Sequence, residues 1–167
     1  MFVFNMNIAE KFENFIQGQT KIIGSLKNNH FSSIANKSSS VNDCILYISS
    51  YRGNNGNIMF YDDHGNPKYW NDLFKYDVAL LYWLADWSIK NKKKIIICPR
   101  YADDNNGEFS WYEKIFKNKK LVWEIFTKNN QDSSYQALEK AKIIISTPST
   151  LGYEAFGRGK RTAFFIC

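Results

Sequence analysis

The segment Ser146-Thr147-Pro148-Ser149-Thr150-Leu151-Gly152-Tyr153-Glu154 holds the residues of this chain best suited to chemistry. An apolar run, Ile143 to Ile145, precedes it, and a basic stop, Arg158 to Arg161, leads into a second apolar run, Ala163 to Ile166. The order reads as strand, turn, short helix and strand. Pro148 suits the first helical position, where a missing N–H costs nothing, and Thr147 is then the expected N-cap. The N–H groups of that first turn, beside the Ser149 and Thr150 hydroxyls and at the positive end of the helix dipole, form a cradle for a phosphate or diphosphate. Ser146, Thr147, Ser149, Thr150, Leu151 and Gly152 are therefore the candidate phosphate contacts. Thr150 and Glu154 are four apart and share a helical face, so the carboxylate can accept two hydrogen bonds from a vicinal diol such as a ribose. A nucleotide-sugar carries both groups. Taken singly, these residue types are also ordinary capping and surface chemistry; their order between two apolar runs is what points to a ligand. Gly152 inside a helix costs about 1 kcal/mol against Ala, which implies a close approach to a strand or a ligand. Gly159 reads as the helix stop, with Lys160 and Arg161 at the negative helix end.

Two arginines join this list because each closes an expected strand. Arg52 follows CILYISSY and Arg100 follows IIICP, and a guanidinium at either place can grip a diphosphate bidentately. Glu108 can pair with Arg100, which would make both structural. Ser49 and Ser50 are weaker candidates. His30 and His64 have no carboxylate or second histidine in helical register, so neither a zinc site nor a catalytic triad is expected. His64 lies in YDDHGN beside Asp62 and Asp63, where a metal ligand, an acid and a plain turn are all readings of the same residues. Cys44, Cys98 and Cys167 show no metal-ligand spacing; Cys44 and Cys98 fall in expected strands as buried thiols, in a reducing compartment.

These residues need a scaffold, and the chain alternates strands and helices. Ile8, Phe12, Phe15 and Ile16 have helical spacing, followed by Gly18 and a strand-like KIIGS. Ser32 to Asp43 is a Ser-rich linker and a domain boundary. Strands are expected at 44–50, 94–100, 121–126 and 143–146. Helices are expected from an Asp77 N-cap through Leu80, Leu81, Leu84 and Trp87, over 108–116, and from a Ser133 or Ser134 cap through Ala141. The Gly- and Asn-rich stretch 52–72 reads as a long loop over the binding face. Strand-helix alternation implies parallel pairing, hence an open, mainly parallel Rossmann-like α/β sheet with helices on both faces. Ligands of such sheets bind beyond the carboxyl ends of the strands.

Composition bounds the function. The chain has 167 residues, 44% hydrophobic and 17% aromatic, with a net charge of +6, which is enough for one domain with a proper core. The charge admits nucleic acid, anionic lipid or an anionic small substrate. Its main run, Lys90 to Lys94, falls at a helix end, where cations are favourable. The first eighteen residues have neither the basic start nor the apolar core of a signal peptide or membrane span, so the expected location is cytoplasmic, with peripheral contact at the inner membrane face.

The segment STPSTLGYEAFGRGKRTAFF resembles the nucleotide-sugar-binding segment of GT-B glycosyltransferases, in particular bacterial surface-carbohydrate and capsular polysaccharide biosynthesis proteins. The resemblance extends upstream through IIGSLKNN, the stretch from Tyr69 to Trp87, IIICPR, EFSWYEKIF and SSYQALEKA. It implies half of a GT-B fold: residues 1–40 as the end of a preceding domain and a linker, and 41–167 as a donor-binding Rossmann-like domain, truncated at its C-terminal end and inactive alone. It favours Arg52 as a phosphate contact and Glu154 as the ribose contact. Retaining enzymes of the family have another glutamate eight positions earlier; here that position is Ser146, so catalytic residues stay unassigned. The implied partners are a nucleotide-sugar, taken as substrate with no further cofactor and no metal, and a glycan or lipid-linked acceptor, with no nucleic acid. Other GT-B-like enzymes, such as a sugar-nucleotide epimerase or a polyol-phosphate transferase, share the cradle. A non-catalytic Rossmann module binding nucleotide or nucleic acid is the alternative from another class.

Overall fold

The structure is a computed structural model and describes residues 2–3, 6–13, 15, 18–22, 24–25, 29, 42–53, 58–69, 76–147 and 149–165. The chain forms two compact units, Met1–Ser38 and Ser39–Cys167. In the first, strands β1 (Phe2–Val3) and β2 (Lys21–Ile22) pair in parallel, and helix α1 (Met6–Glu13) lies between them in sequence. The helix starts two residues before its apolar pattern and ends before Phe15, which is strongly exposed. Ile16 lies outside the described residues, as does most of the Ser-rich segment. Asn42 and Asp43, expected as linker, belong to the first strand of the second unit.

That unit is built on a five-stranded sheet of β3 (Asn42–Ile48), β6 (Lys94–Cys98), β7 (Trp123–Ile125), β8 (Ala141–Ser146) and β9 (Thr162–Phe164). The spatial order is β7-β6-β3-β8-β9, and every neighbouring pair is parallel. Chain order runs outward from β3 through β6 to β7, then returns to the other side of β3 for β8 and β9. This is the Rossmann arrangement, with its switch point between β3 and β8.

Parallel strands covered on both faces read as continuous apolar runs, and Cys44 to Ile48 and Ile95 to Cys98 are all buried. Alternation assigns the faces. Ile45, Tyr47, Ile95 and Ile97 pack with Leu80, Leu81 and Leu84 of α2 (Asp77–Lys90) and with Tyr112, Ile115 and Phe116 of α3 (Glu108–Phe116). Leu46, Ile96 and Ile144 point the other way, where α4 (Ser133–Lys140) and α5 (Thr150–Gly157) lie against the sheet.

Helix ends depart from the expected caps. Asp77 is the first residue of α2, after a Tyr76 that makes no side-chain cap; its carboxylate turns inward to β3 instead. Ser133 likewise lies one residue inside α4, its Oγ accepting from the amides of Asn129 and Asn130 at 3.0 Å each. The start of α3 is served from the preceding loop, where Asp104 accepts from the Phe109 amide at 2.6 Å.

The expected loop at 52–72 contains a hairpin, β4 (Ile58–Tyr61) against β5 (Pro67–Tyr69). Its turn is made by the residues that suggested a loop: Asp62 accepts from the His64 and Asn66 amides at 3.0 and 2.9 Å, and Gly65 has φ 79°. With Lys68 at 3.1 Å as well, the Asp62 carboxyl is held down at about 2. Residues 54–57 and 70–75 lie outside the described set.

Gly152 is where helix meets sheet most closely. A Cβ there would lie 2.6 Å from Ser146 Oγ and 2.8 Å from Ser146 Cβ, with Phe164 at 3.1 Å. The close approach inferred from sequence is therefore to strands β8 and β9. Gly152→Ala is expected to destabilise the fold by about 1–3 kcal/mol through overpacking, read as a lower denaturation midpoint in urea.

Candidate functional site

The carboxyl ends of β3, β6 and β8 carry most of the residues singled out from sequence. After β8, Ser149 takes the extended conformation of an N-cap, and its Oγ accepts from the Gly152 amide at 3.1 Å. The cap is therefore Ser149, two residues beyond the expected Thr147, because Ser149 Oγ is the hydroxyl placed three residues before an unpaired amide. Pro148 lies outside the described residues. Ser146 is fully buried; its Oγ donates to the Thr147 carbonyl and lies 3.0 Å from Ser149 Oγ. Ser146 and Thr147 thus hold the turn from inside, while Ser149 is half-buried and Thr150 exposed. Among the described residues, no acceptor takes the amides of Thr150 or Leu151. Those two N–H groups and the Thr150 hydroxyl are what α5 offers an anion.

Glu154, one turn on, is half-buried, and its Oε2 accepts from Tyr135 Oη at 2.7 Å. Tyr135 stands in the first turn of α4 and was not singled out from sequence; no local pattern links it to a residue nineteen positions away. It fixes one carboxylate oxygen and leaves the other for a second donor. Gly159 ends α5 with φ 75°, its amide on Phe156 O and that of Lys160 on Ala155 O, a Schellman closure. Arg158 and Lys160 both pair with Glu139 of α4, so this part of the basic stop is structural. Arg161 is exposed.

Arg52 and Arg100 leave the ends of the adjacent strands β3 and β6, and both are exposed. Partial desolvation, and then the like charge of Arg100, hold Arg52 below the usual arginine range. Among the described residues neither guanidinium pairs with a carboxylate. Glu108, read as a partner for Arg100, binds backbone instead: its carboxylate is fully buried and accepts from the amides of Arg100 at 2.9 Å and Tyr101 at 2.8 Å and from the Ser49 hydroxyl. Tyr112 Oη donates to Ser49 Oγ at 2.8 Å, and burial pushes its phenol well above the usual range. This network locks the ends of β3 and β6 together directly beneath the arginines.

On the same face of the sheet, Asp77 is also buried. Its Oδ2 accepts from Tyr47 at 3.3 Å and from Ser50, and Oδ1 has no partner among the described residues. Burial raises this carboxyl above the ordinary aspartate range, against the opposing effect of the two hydroxyls. The sequence marks Asp77 as a cap because an acid before an apolar helical run has that appearance; its burial follows from tertiary packing. Cys44 and Cys98 are buried free thiols.

A family model described as "putative O-antigen biosynthesis protein" matches residues 1–167. The chain belongs to that family. Its place is in surface-carbohydrate biosynthesis, as the resemblance of the segment around Glu154 implied. Comparison with curated proteins and with solved structures returns no match. Among the described residues, no helix is long and apolar enough to cross a membrane, and no cluster of His, Cys, Asp or Glu is arranged to hold a metal ion.

Two outcomes test this geometry. Glu108→Ala leaves two amides and a buried hydroxyl without their acceptor and should cost about 3 kcal/mol or more in equilibrium unfolding. Asp77 has a raised folded-state pKa, so its contribution to stability is fully present below the unfolded value of about 4 and is lost as pH rises through the folded value. Asp77→Asn should flatten that part of the stability profile, measured by denaturant titration across mildly acidic pH.

Proposed function

We propose that the unit spanning 39–167 is the donor-binding domain of a glycosyltransferase of the GT-B type that acts on surface polysaccharide. The observation that carries the reading is the place of α5: its capped start follows β8 at the switch point, with Glu154 one turn along and two arginines without carboxylate partners at the ends of the neighbouring strands. In this reading the Thr150 and Leu151 amides and the Ser149 and Thr150 hydroxyls take the diphosphate. Arg52 and Arg100 neutralise its outer charge, and Ser146, Thr147 and Gly152 shape the turn that presents it. Glu154, steadied by Tyr135, accepts from the ribose hydroxyls. The substrate is a nucleotide-sugar, and the acceptor a glycan or a lipid-linked glycan at the cytoplasmic side of the inner membrane.

The chemistry such a site supports is displacement at the anomeric carbon. As the sugar–phosphate bond breaks, negative charge grows on the departing diphosphate, and amides and guanidiniums already in place stabilise it without reorganising. No metal is needed for that step.

Calorimetric titration with a panel of nucleoside diphosphates and nucleotide-sugars tests the reading. One member of the panel should bind. Glu154→Ala should weaken it by roughly tenfold or more, the scale of hydrogen bonds to a charged group. Arg52→Ala should weaken nucleoside diphosphates much more than the parent nucleoside. Binding indifferent to Glu154→Ala, with the fold intact by circular dichroism, would overturn the ribose assignment and leave a phosphate-binding Rossmann module.

A further inference from the structure

The opposite end of the sheet carries a surface that the donor site does not use. At the amino ends of β6 and β7, a groove of about 320 Å³ is lined by Ser88 and Ile89 of α2, by Lys92, Lys93 and Lys94, and by Lys120, Leu121 and Val122. Lys93 pairs with Asp43, Lys94 with Glu124, and Lys119 with Asp86. Lys90, Lys92 and Lys120 have no carboxylate partner among the described residues. Large apolar side chains stand beside them in water: Val122 is 67% exposed, Trp83 59% and Ile89 39%. The surface is continuous, because Lys119 binds Asp86 and also lies 5.5 Å over the ring of Tyr82, tying the loop before β7 to the outer face of α2. Tyr82, Trp83, Asp86, Ile89 and Lys90 form that outer face, spaced as one helical stripe.

Lys92 adds a second observation. It is the left-handed residue of the Schellman turn that ends α2, at φ 52°, with its amide on Ile89 O and that of Lys93 on Ser88 O. Glycine is the residue this position favours, and a lysine stands there at the cost of some stability.

We infer that this face docks peripherally on an anionic lipid bilayer. Unpaired lysines attract acidic headgroups, while Trp83, Ile89 and Val122 enter the boundary between headgroups and acyl chains; tryptophan and lysine side by side are the residues such interfaces hold best. Charge alone would serve nucleic acid equally. Exposed Trp, Ile and Val have no role on a phosphate backbone, and they decide for lipid. The docking face and the donor crevice lie at opposite ends of the same strands, which leaves the crevice open to dissolved nucleotide. The inference does not depend on the donor reading.

The test is co-sedimentation of the full chain with vesicles of phosphatidylcholine alone and of phosphatidylcholine with phosphatidylglycerol. The chain should pellet with the acidic vesicles, and each of Lys90→Ala, Lys92→Gly and Lys120→Ala should weaken binding roughly fivefold. Lys92→Gly should do so with an unchanged or higher melting temperature, which separates lost contact from lost fold. Trp83→Ser with Val122→Ser should reduce binding that persists in high salt. Absence of binding to acidic vesicles, equal binding to neutral ones, or indifference to these substitutions overturns the inference. So does binding to a short DNA duplex that needs the lysines but ignores Trp83.

Discussion

A buried carboxylate governs the working edge of this sheet. Glu108 begins α3, yet its side chain reaches back beneath the strands, taking the amides that follow β6 and the hydroxyl that follows β3. Removing a carboxylate from water is costly unless donors surround it. Here they are two backbone amides and a serine itself held by Tyr112. The arrangement ties the end of β6 to the start of α3 and to the residue that follows β3. A salt bridge to Arg100 would have used the same charge to neutralise a guanidinium; binding backbone leaves the guanidinium facing water.

The sheet itself was legible because its central strands carry unbroken apolar runs, as parallel strands covered on both faces do. The Ile-rich runs at 94–98 and 141–146 and the apolar spacing of α2 left little choice of architecture. Helix boundaries were less legible, since an acid or hydroxyl before an apolar run reads the same whether it caps the helix or turns into the core. Asp77, Ser133 and Thr147 all illustrate this: local sequence offers the donor or acceptor, and tertiary neighbours decide its partner. The hairpin at 58–69 was hidden because its turn chemistry is what loops also use.

At the candidate site, sequence brought forward the segment but not the internal division of labour its residues take in the fold. Ser146 and Ser149 look alike in the chain, yet one is sealed beneath the helix and the other caps it. Gly152 permits that arrangement by letting α5 settle onto Ser146 and Phe164. Tyr135 was invisible because its bond to Glu154 joins two helices through the fold. Family membership sets the chain in surface-carbohydrate biosynthesis.

The pair of like charges at the ends of β3 and β6 has a thermodynamic consequence. Desolvation first, and then the like charge of Arg100, hold the Arg52 guanidinium below its usual range, and among the described residues neither arginine pairs with a carboxylate. A bound dianion would convert repulsion into attraction at both positions at once. An anion held there would stabilise the folded chain in proportion to its occupancy, as any ligand of the native state does.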